Sequence, residues 1–315
     1  MANVNGGKQM GLQVYMNGHW VSKEDAKVSI WDHGFLYGDG VFEGIRVYNG
    51  RVFKLDQHIK RLYESAKGIE LTIPLSKTKM KEDLVETVRR NGMSEAYVRL
   101  IVSRGPGDLG LDPRKCRKAT VVILADKISV YPEETYRKGL RVMIASTRRN
   151  PPDSINGRIK SLNYLNNIFA KLEHINTGVD EALLLNHDGY LVEGTAENIF
   201  IVKGEKFLTP PAYLGALEGV TRATVEELAD DLGMVYEEAL LTPHDLYVAD
   251  ECFLTGTGAE IVPVIEVDGR MIGDGVPGPA TVRLLKAYRE LTRNEGVLVF
   301  PKEQSPKPKV GTISS

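Results

Sequence analysis

The sequence predicts an α+β fold in which short antiparallel strands and amphipathic helices form two units. Strand-like runs in the first half are separated by Asn-Gly turns, which favour β-hairpins. Helical patterns also occur, but they do not alternate regularly with the strands, so a Rossmann arrangement is disfavoured. A chain of 315 residues is long for one compact core. We therefore expect two units that share an interface, where cofactor pockets commonly form.

Paired strands dominate the first 126 residues. QVYM and HWV flank one Asn-Gly turn, and VFEGIRVY and RVFKL flank another, so each pair should form an antiparallel hairpin. The runs AYVRLIVSR and ATVVILA are typical of buried strands. The loop GPGDLGLDPRKCRK joins these two runs, and its glycines and prolines exclude regular structure. This loop is therefore a candidate part of a functional site.

Two helices are expected between these strands. Asp56 is the predicted N-cap of a helix that runs through Lys67. Ser76 is the predicted N-cap of a second helix, which should end near the next Asn-Gly pair. Both helices have an apolar face that can cover one side of the sheet.

The second half begins with the strand LRVMIAS and a polar loop. A helix is predicted from about Leu162 to Asn176, where a glycine closes it. Strands are expected at EALLLN, YLVEG and ENIFIV, and further helices at Gly219 to Leu232 and about Pro279 to Thr292. The strand connections should be mainly antiparallel.

Domain boundaries follow from a loss of periodicity around residues 127–138, which include a Tyr-Pro step. We assign residues 1–126 to a small N-terminal domain and residues 139–300 to a larger domain, with 127–138 as the linker. The tail 301–315 is rich in Pro, Lys and Ser, and we expect it to be disordered.

Charge and cysteine content narrow the classes of function. The 40 Lys and Arg residues nearly balance the 42 Asp and Glu residues, whereas a nucleic-acid binder usually carries a strongly basic surface. Cys116 and Cys252 have no paired spacing, which argues against a zinc site or a disulfide scaffold and suits a reducing cytoplasm. We see neither a signal peptide nor a membrane-spanning stretch, so we expect a cytoplasmic protein that acts on small molecules.

Four segments carry groups suited to cofactor chemistry. Lys160 lies in NGRIKSLNYLNN, although a lysine taken alone is most often a solvated surface charge. Glu193 interrupts the apolar run LVEGTAENIF, and a carboxylate beside a ring nitrogen keeps that nitrogen protonated, as a pyridoxal electron sink requires. LEGVTRATVEELA opens a helix whose first N–H groups can bind phosphate. FLTGTGAEI ends a strand in a turn whose backbone can closely approach a ligand.

Together with YGDGVFEGIR, these segments resemble the branched-chain aminotransferases among the fold-type IV pyridoxal-phosphate enzymes. The resemblance extends from about Tyr15 to Phe300, and its most specific part is the order Lys160, EGTAENIF, GVTR. It implies a small N-terminal α/β domain and a larger C-terminal pseudo-barrel domain, with pyridoxal 5′-phosphate at their interface. It also implies ping-pong amino transfer between branched-chain L-amino acids and 2-oxoglutarate.

The resemblance assigns roles to residues around the cofactor. Lys160 would bind the cofactor covalently and then move a proton between the substrate Cα and the cofactor C4′. Glu193 would pair with the pyridine nitrogen, and Arg61 would reach the phosphate, although alone it could equally be a surface arginine. The full set of cofactor contacts is Arg61, Lys160, Tyr164, Glu193, Leu217, Gly219, Val220, Thr221, Gly256 and Thr257.

The substrate pocket is predicted from an arginine in an apolar strand. Arg99 belongs to AYVRLIV, where a charge is costly unless it is paired. The resemblance implies a pocket for both an aliphatic side chain and the distal carboxylate of glutamate. Its residues would be Tyr37, Phe42, Tyr97, Arg99, Tyr131, Thr257, Gly258 and Ala259, of which Gly258 replaces the alanine that is more frequent in the family. Leu109 or Leu111 would reach the pocket of a neighbouring subunit in a homodimer or a larger assembly such as a hexamer.

Several alternatives remain open. D-amino-acid aminotransferases, (R)-amine transaminases and aminodeoxychorismate lyases would share Lys160, Glu193 and the phosphate site, so only the pocket residues discriminate them. A non-catalytic binding protein of the same fold would be expected to lack the lysine. His33 and His58 are expected to be structural hydrogen-bonding groups, since neither has metal-ligand spacing with a partner.

Overall fold

The computed structural model describes residues 11–128 and 131–300 of the chain. Within these ranges, two β-sheets carry the helices and meet at a deep cavity, which confirms the predicted α+β class. The tail 301–315, for which we predicted disorder, lies outside the described residues, as do positions 129 and 130 of the predicted linker. The remaining linker residues include a short helix, and the division into two domains stays a prediction.

The strands are numbered in chain order. They are β1 (Gln13–Met16), β2 (His19–Ser22), β3 (Gly40–Tyr48), β4 (Arg51–Val52), β5 (Ala96–Ser103), β6 (Thr120–Asp126), β7 (Leu140–Ile144), β8 (Glu181–Leu185), β9 (Leu191–Gly194), β10 (Asn198–Lys203), β11 (Lys206–Thr209), β12 (Val235–Glu238), β13 (Glu251–Gly256), β14 (Glu260–Val267), β15 (Arg270–Met271) and β16 (Val297–Leu298).

The helices are numbered in the same way. They are α1 (His33–Tyr37), α2 (Leu55–Gly68), α3 (Lys77–Arg90), α4 (Glu133–Lys138), α5 (Leu165–Thr177), α6 (Val220–Asp231), α7 (Pro243–Tyr247) and α8 (Pro279–Asn294), with single 3₁₀ turns at Pro113–Lys115 and Ala212–Leu214.

The first sheet is antiparallel throughout, in the order β16-β4-β3-β5-β6-β1-β2. Both predicted hairpins are confirmed, and their turn residues Asn17 and Asn49 adopt φ of 50° and 49°. Such positive φ values suit the tight turns that join twisted antiparallel strands, and asparagine tolerates them well. The core of this sheet lies between β3, β5 and β6 and the apolar faces of α2 and α3.

Helix α2 begins differently from the prediction, whereas α3 begins as predicted. The N-cap of α2 is Lys54 with φ 47°, and Asp56 lies in the first turn, so the prediction of Asp56 as N-cap was wrong. An acidic side chain in the first turn still faces the positive end of the helix dipole, which explains the misleading signal. The Ser76 hydroxyl accepts a hydrogen bond from the Lys79 N–H and caps α3.

Helix α5 begins at Leu165, three residues later than predicted. The preceding residues form hydrogen bonds to β3 instead of a helical turn. Phe42 N–H donates to the Lys160 carbonyl at 3.0 Å, and Leu162 N–H donates to the Gly40 carbonyl at 2.9 Å. Lys160 therefore lies in an extended segment that is fixed against the first sheet, and it does not lie at the start of a helix.

The second sheet has the order β12-β11-β10-β13-β14-β7-β8-β9, with β15 on the edge of β14. Three pairs are parallel, namely β11–β12, β14–β7 and β7–β8, and the others are antiparallel as expected. Helices α6 and α8 pack on this sheet around Phe200, Phe253 and Tyr288. The chain then returns to the first sheet, where β16 pairs with β4. None of the helices in the described ranges has the length and hydropathy needed to cross a bilayer.

Candidate active site

A cavity of about 560 Å³ opens between the two sheets. Strands β3 and β5 form one wall, and the segment 195–198, the start of α6 and the β13–β14 turn form the opposite wall. This volume lies within the usual range for small-molecule pockets. Most of the predicted site residues line it, namely Phe42, Arg61, Tyr97, Arg99, Lys160, Tyr164, Leu217, Gly219, Val220, Thr221, Gly256, Thr257, Gly258 and Ala259.

Lys160 presents its amine to the middle of this cavity. Its Nζ donates a hydrogen bond to the Tyr164 hydroxyl at 3.2 Å and lies 4.7 Å from the centre of the Phe42 ring. The backbone is fixed on both sides, because Lys160 N–H donates to Ser65 Oγ of α2 at 3.1 Å and its carbonyl accepts from β3. A flexible lysine side chain is thus attached to a rigid segment.

Glu193 lies in a narrow recess that opens beside Lys160 and Tyr164. One carboxylate oxygen forms an ion pair with Arg149 at 3.0 Å, and the other accepts the Leu217 N–H at 3.0 Å. Arg149 also donates to the Gly215 carbonyl and the Asn167 side chain. Arg149 thus compensates the buried negative charge and fixes its position at the cavity wall.

An anion cradle lies at the first turn of α6. Gly219 is the N-cap, the N–H groups of Val220 and Thr221 in the first turn have no partner within the helix, and all three residues line the cavity. A Cβ at position 219 would come within 2.0 Å of Asn198 Oδ1, so only glycine fits there. The Asn198 amide donates to the Leu217 carbonyl at 2.8 Å and holds the loop before the helix.

Arg61 completes the cradle and is firmly held. Its guanidinium binds both oxygens of Glu43, with Nε–Oε1 2.7 Å and Nη2–Oε2 2.8 Å, and a third hydrogen bond joins it to the Glu218 carbonyl. His58 lies 2.8 Å from Glu43 Oε2, which fits its predicted structural role. Burial alone would raise the pKa of Glu43, but the charges of Arg61 and His58 lower it to about 2. The Glu43 carboxylate is therefore a permanent anchor for Arg61.

Arg99 stands on the other wall among aromatic side chains. Its guanidinium lies 4.8 Å from the centre of the Phe42 ring and 5.4 Å from that of Tyr97. Among the described residues, no carboxylate forms an ion pair with Arg99. Gly44 lies opposite Arg99 in the sheet and makes room for the Tyr97 hydroxyl, which a Cβ at position 44 would approach to 1.8 Å. An unpaired cation in an otherwise apolar wall is suited to an incoming carboxylate.

The β13–β14 turn brings backbone groups to the cavity. Thr257 and Gly258 line it, and the Ala259 carbonyl is fixed by the Tyr136 hydroxyl at 2.9 Å. The nearby Thr255 side chain is buried, and its hydroxyl has no hydrogen-bond partner among the described residues. A buried hydroxyl without a partner at a cavity wall is a suitable contact for a polar ligand.

Some predicted site residues lie elsewhere. The Tyr37 hydroxyl donates to the Leu109 carbonyl at 2.6 Å, and both side chains are exposed outside the cavity. Leu111 is the most exposed large apolar residue described, at 78%. Tyr131 packs against the core of the second sheet, near the carboxyl group of Glu197, and is not part of the cavity lining. In a single subunit these side chains therefore do not reach the ligand space.

Several residues of the site were absent from the sequence prediction. Glu43 is the clearest case, and its signal was visible, because it interrupts the apolar strand VFEGIRVY as Glu193 interrupts LVEG. Glu197 belongs to the same run, LVEGTAENIF, and received no role. Arg149 and Lys171 belong to a polar loop and a helix face, where no pattern distinguishes them from solvated cations.

These groups fit a phosphorylated pyridine aldehyde such as pyridoxal phosphate. The cradle at Gly219, with Arg61 beside it, suits a dianionic phosphate at one end. The amine of Lys160 lies within the same cavity, and the charge-compensated carboxylate of Glu193 opens beside it. Each end of the ligand therefore has a complementary group already in place.

Comparisons with known proteins agree with this geometry. The family Amino-transferase class IV matches residues 40–267. A provisionally named branched-chain-amino-acid aminotransferase of Methanocaldococcus jannaschii is 50% identical over 289 residues, covering 92% of this chain and 99% of that protein. The branched-chain-amino-acid aminotransferase of Escherichia coli K12 is 36% identical, covering 90% of this chain and 93% of that protein.

A solved structure is similar over the same region. The T.th. branched-chain amino acid aminotransferase with pyridoxamine 5′-phosphate superposes with a TM-score of 0.87 at 39% identity, covering 90% of this chain and 95% of that chain. The same enzyme was also solved in complex with N-(5′-phosphopyridoxyl)-L-glutamate, with a TM-score of 0.85.

The anchoring of Arg61 by Glu43 leads to a first prediction. Glu43→Gln keeps the shape but removes the charge, and hydrogen bonds to charged groups contribute about 1.5–3 kcal/mol. We expect the variant to release pyridoxal phosphate roughly 10- to 100-fold faster, as measured by absorbance after dilution into apo-protein trap. Glu64→Gln, an exposed change on helix α2, which also carries Arg61, is the control. Unchanged release, at an unaltered thermal midpoint, would show that Arg61 does not depend on Glu43.

Proposed function

Because the chain belongs to the class IV family of pyridoxal-phosphate-dependent aminotransferases, we propose that it transfers amino groups from branched-chain L-amino acids to 2-oxoglutarate. The products are the 2-oxo acid and L-glutamate, formed in two successive half-reactions. The observation that carries this proposal is Arg99, an unpaired cation in an aromatic and aliphatic wall of the described cavity.

The pocket must accept two chemically different side chains in turn. Phe42, Tyr97 and Ile101 offer apolar surface to a branched aliphatic group. Arg99 offers a charge to the distal carboxylate of glutamate or 2-oxoglutarate, and its contacts with aromatic rings keep it stable when that carboxylate is absent. Thr257 and Gly258 line the cavity, and their amides would bind the α-carboxylate that all these substrates share. The glutamate adduct of the T.th. enzyme is in keeping with this second use of the pocket.

Lys160 moves the proton in this proposal. When bound, pyridoxal phosphate supplies the carbon that carries the amino group and a ring that accepts the electron pair released at the substrate Cα. Lys160 Nζ then takes the proton from Cα and returns it at the cofactor C4′. The Tyr164 hydroxyl, 3.2 Å from the amine, keeps it directed along this path.

The remaining residues orient the ring. Glu193, held by Arg149, would pair with the pyridine nitrogen and favour its protonated form. Arg61, Val220 and Thr221 line the cavity and would bind the phosphate, while Leu217 would pack against the ring. With the phosphate and the ring both held by these residues, Lys160 would act on the reactive carbon from a fixed backbone position.

Neighbouring copies of the chain are expected to cover the pocket. Tyr37 and Leu109 form one exposed pair, so we place Tyr37 with the loop residues Leu109 and Leu111 that were predicted to reach a neighbouring subunit. A homodimer is the smallest assembly with this property, and the cytoplasm remains the expected compartment. The rivals in this family, D-amino-acid and (R)-amine transaminases and aminodeoxychorismate lyase, have no specific observation in their favour here.

The lysine assignment predicts a single site of covalent attachment. Borohydride treatment of the holoenzyme should fix the pyridoxyl group on Lys160, as identified by peptide mass spectrometry. Lys171 also lines the cavity and is the internal control. Lys160→Ala should retain bound cofactor but lose amino transfer by at least about 10²- to 10⁴-fold, because the proton has no carrier. A pyridoxyl group on Lys171 would contradict the assignment.

The ring-nitrogen assignment concerns Glu193. Glu193→Gln keeps the side-chain shape and removes the charge that favours the protonated pyridine, so we expect turnover to fall roughly 10²- to 10³-fold with modest loss of cofactor. Glu251→Gln changes a buried carboxylate outside the cavity and controls for stability. Normal turnover in Glu193→Gln would mean that another group protonates the ring.

Dual recognition by Arg99 can be measured one half-reaction at a time. Truncating one partner of a desolvated arginine–carboxylate pair costs about 2–5 kcal/mol, or roughly 30- to several-thousand-fold. Arg99→Gln should therefore lose far more rate in the 2-oxoglutarate half-reaction than in the leucine half-reaction, as followed by stopped-flow absorbance. Arg46→Gln lies on the same sheet outside the cavity lining and is the matched control. Equal losses in both half-reactions, with an unaltered thermal midpoint, would refute the role.

A further inference from the structure

Two glutamates lie close together in the second sheet's wall of the site, and their surroundings differ. Glu193 has the guanidinium of Arg149 at 3.0 Å and accepts the Leu217 N–H. Glu197 lines the main cavity, is buried, and accepts the Ala196 N–H at 3.0 Å. Within the described parts of the chain, no Lys, Arg or His forms an ion pair with Glu197. A buried carboxylate without such a partner is costly.

The charges around Glu197 come from several elements. Glu181 on β8 is fully buried and carries the nearest competing negative charge, and its own cation is Lys171 of α5 at 2.8 Å. Glu193 on β9 adds a further negative charge, and the Tyr131 hydroxyl lies near both Glu197 and Glu181. Lys171 forms its ion pair with Glu181 and acts on Glu197 only through its charge.

We propose that Glu197 is a further specificity residue of this cavity: its carboxyl group holds a proton while an anionic substrate is bound, and loss of that proton expels the anion. The inference rests on the proposed function, because it requires that the ligand is a carboxylate. A neutral carboxyl in the cavity that Arg99 and Lys160 also line leaves these cations available to the substrate.

The titration of Glu197 supports this assignment. Burial raises the pKa of its carboxyl, Glu181 raises it further, and Lys171 opposes them, with the result at about 8. The cavity therefore gains one negative charge as the pH rises through about 8.

Ionisation at such a position should be visible in binding. A like charge several ångströms from a bound carboxylate, at the intermediate dielectric of a partly buried site, weakens binding by about tenfold or more. A neutral ligand of the same shape has no such interaction with Glu197. If the pH weakens binding of the carboxylate but not of the neutral ligand, the cause is charge repulsion and not a general change of the site.

The test uses the holoenzyme and two unreactive ligands, 4-methylpentanoate and its neutral amide. Their dissociation constants are measured between about pH 6 and pH 10 from the change in cofactor absorbance. In the unchanged protein we expect the carboxylate to bind about tenfold or more weakly above pH 8, and the amide to bind equally throughout. In Glu197→Gln the carboxylate should lose this weakening. The same weakening in Glu197→Gln as in the unchanged protein overturns the proposal.

Lys171→Met tests the same proposal through a shift of the pH midpoint. Lys171 is 44% exposed and lowers the pKa of Glu197, so its removal should move the midpoint of the weakening to higher pH. A midpoint that stays in place or moves to lower pH contradicts the proposal. As a further control, the pH dependence of the cofactor's absorbance is recorded without ligand. If the loss of carboxylate binding follows this titration in every variant, the proposal is overturned.

A second readout requires neither ligand nor activity. A carboxyl group whose folded pKa exceeds its unfolded value favours the folded state fully below the unfolded pKa, and this contribution is lost as the pH rises toward the folded pKa of about 8. Relative to Glu197→Gln, the unchanged protein should therefore lose thermal midpoint between about pH 5 and pH 8. Parallel midpoints across this range overturn the proposal. Absence of amino transfer from leucine at pH 7 would instead refute the proposed function, and it would leave these unfolding curves unaffected.

Discussion

The antiparallel bridge between Val41 and Ser161 is the contact on which the site depends. Hydrogen bonds on either side of it, from Phe42 to Lys160 and from Leu162 to Gly40, attach the segment before α5 to the first sheet. The cavity exists because the two sheets are held together at this line. The same bonds fix the backbone of the reactive lysine while its side chain stays free to move, which is what a group that carries a proton between two carbon atoms requires.

Around this line the protein buries many charges, and each is compensated differently. Glu43 is matched by Arg61, and Glu193 is matched by Arg149, so both carboxylates are fixed in position. Removing one partner of such a pair leaves the other uncompensated, which makes these pairs sensitive points for function and stability alike. Arg99, Lys160 and Glu197 line the cavity without an ion pair among the described residues. We propose that Arg99 receives the distal carboxylate of the substrate and that Glu197 retains a proton.

Local sequence signals were reliable where the physical cause is local. The Asn-Gly turns, the Ser76 cap and the paired strands β5 and β6 follow from residues that are neighbours in the chain, and the structure has them as predicted. The errors at Asp56 and at the start of α5 have a common origin. In both cases the local sequence indicated a helix start close to the true boundary. Helix α5 begins later than predicted because the residues before it form hydrogen bonds to the distant strand β3.

The sequence by itself determined the kinds of chemistry available: a lysine, interrupted apolar strands that carry carboxylates, and glycine turns at an anion cradle. Only the tertiary structure decided which charged side chains form ion pairs and hydrogen bonds with each other. The 2.7 Å contact of Arg61 with Glu43 spans 18 positions, and the contact of Arg61 with the Glu218 carbonyl spans 157. Contacts over such separations leave no periodic pattern, because they depend on where whole sheets pack. Tyr37 and Leu109 are exposed for the same reason, since the surface that buries a side chain is chosen by the fold and not by its neighbours in the chain.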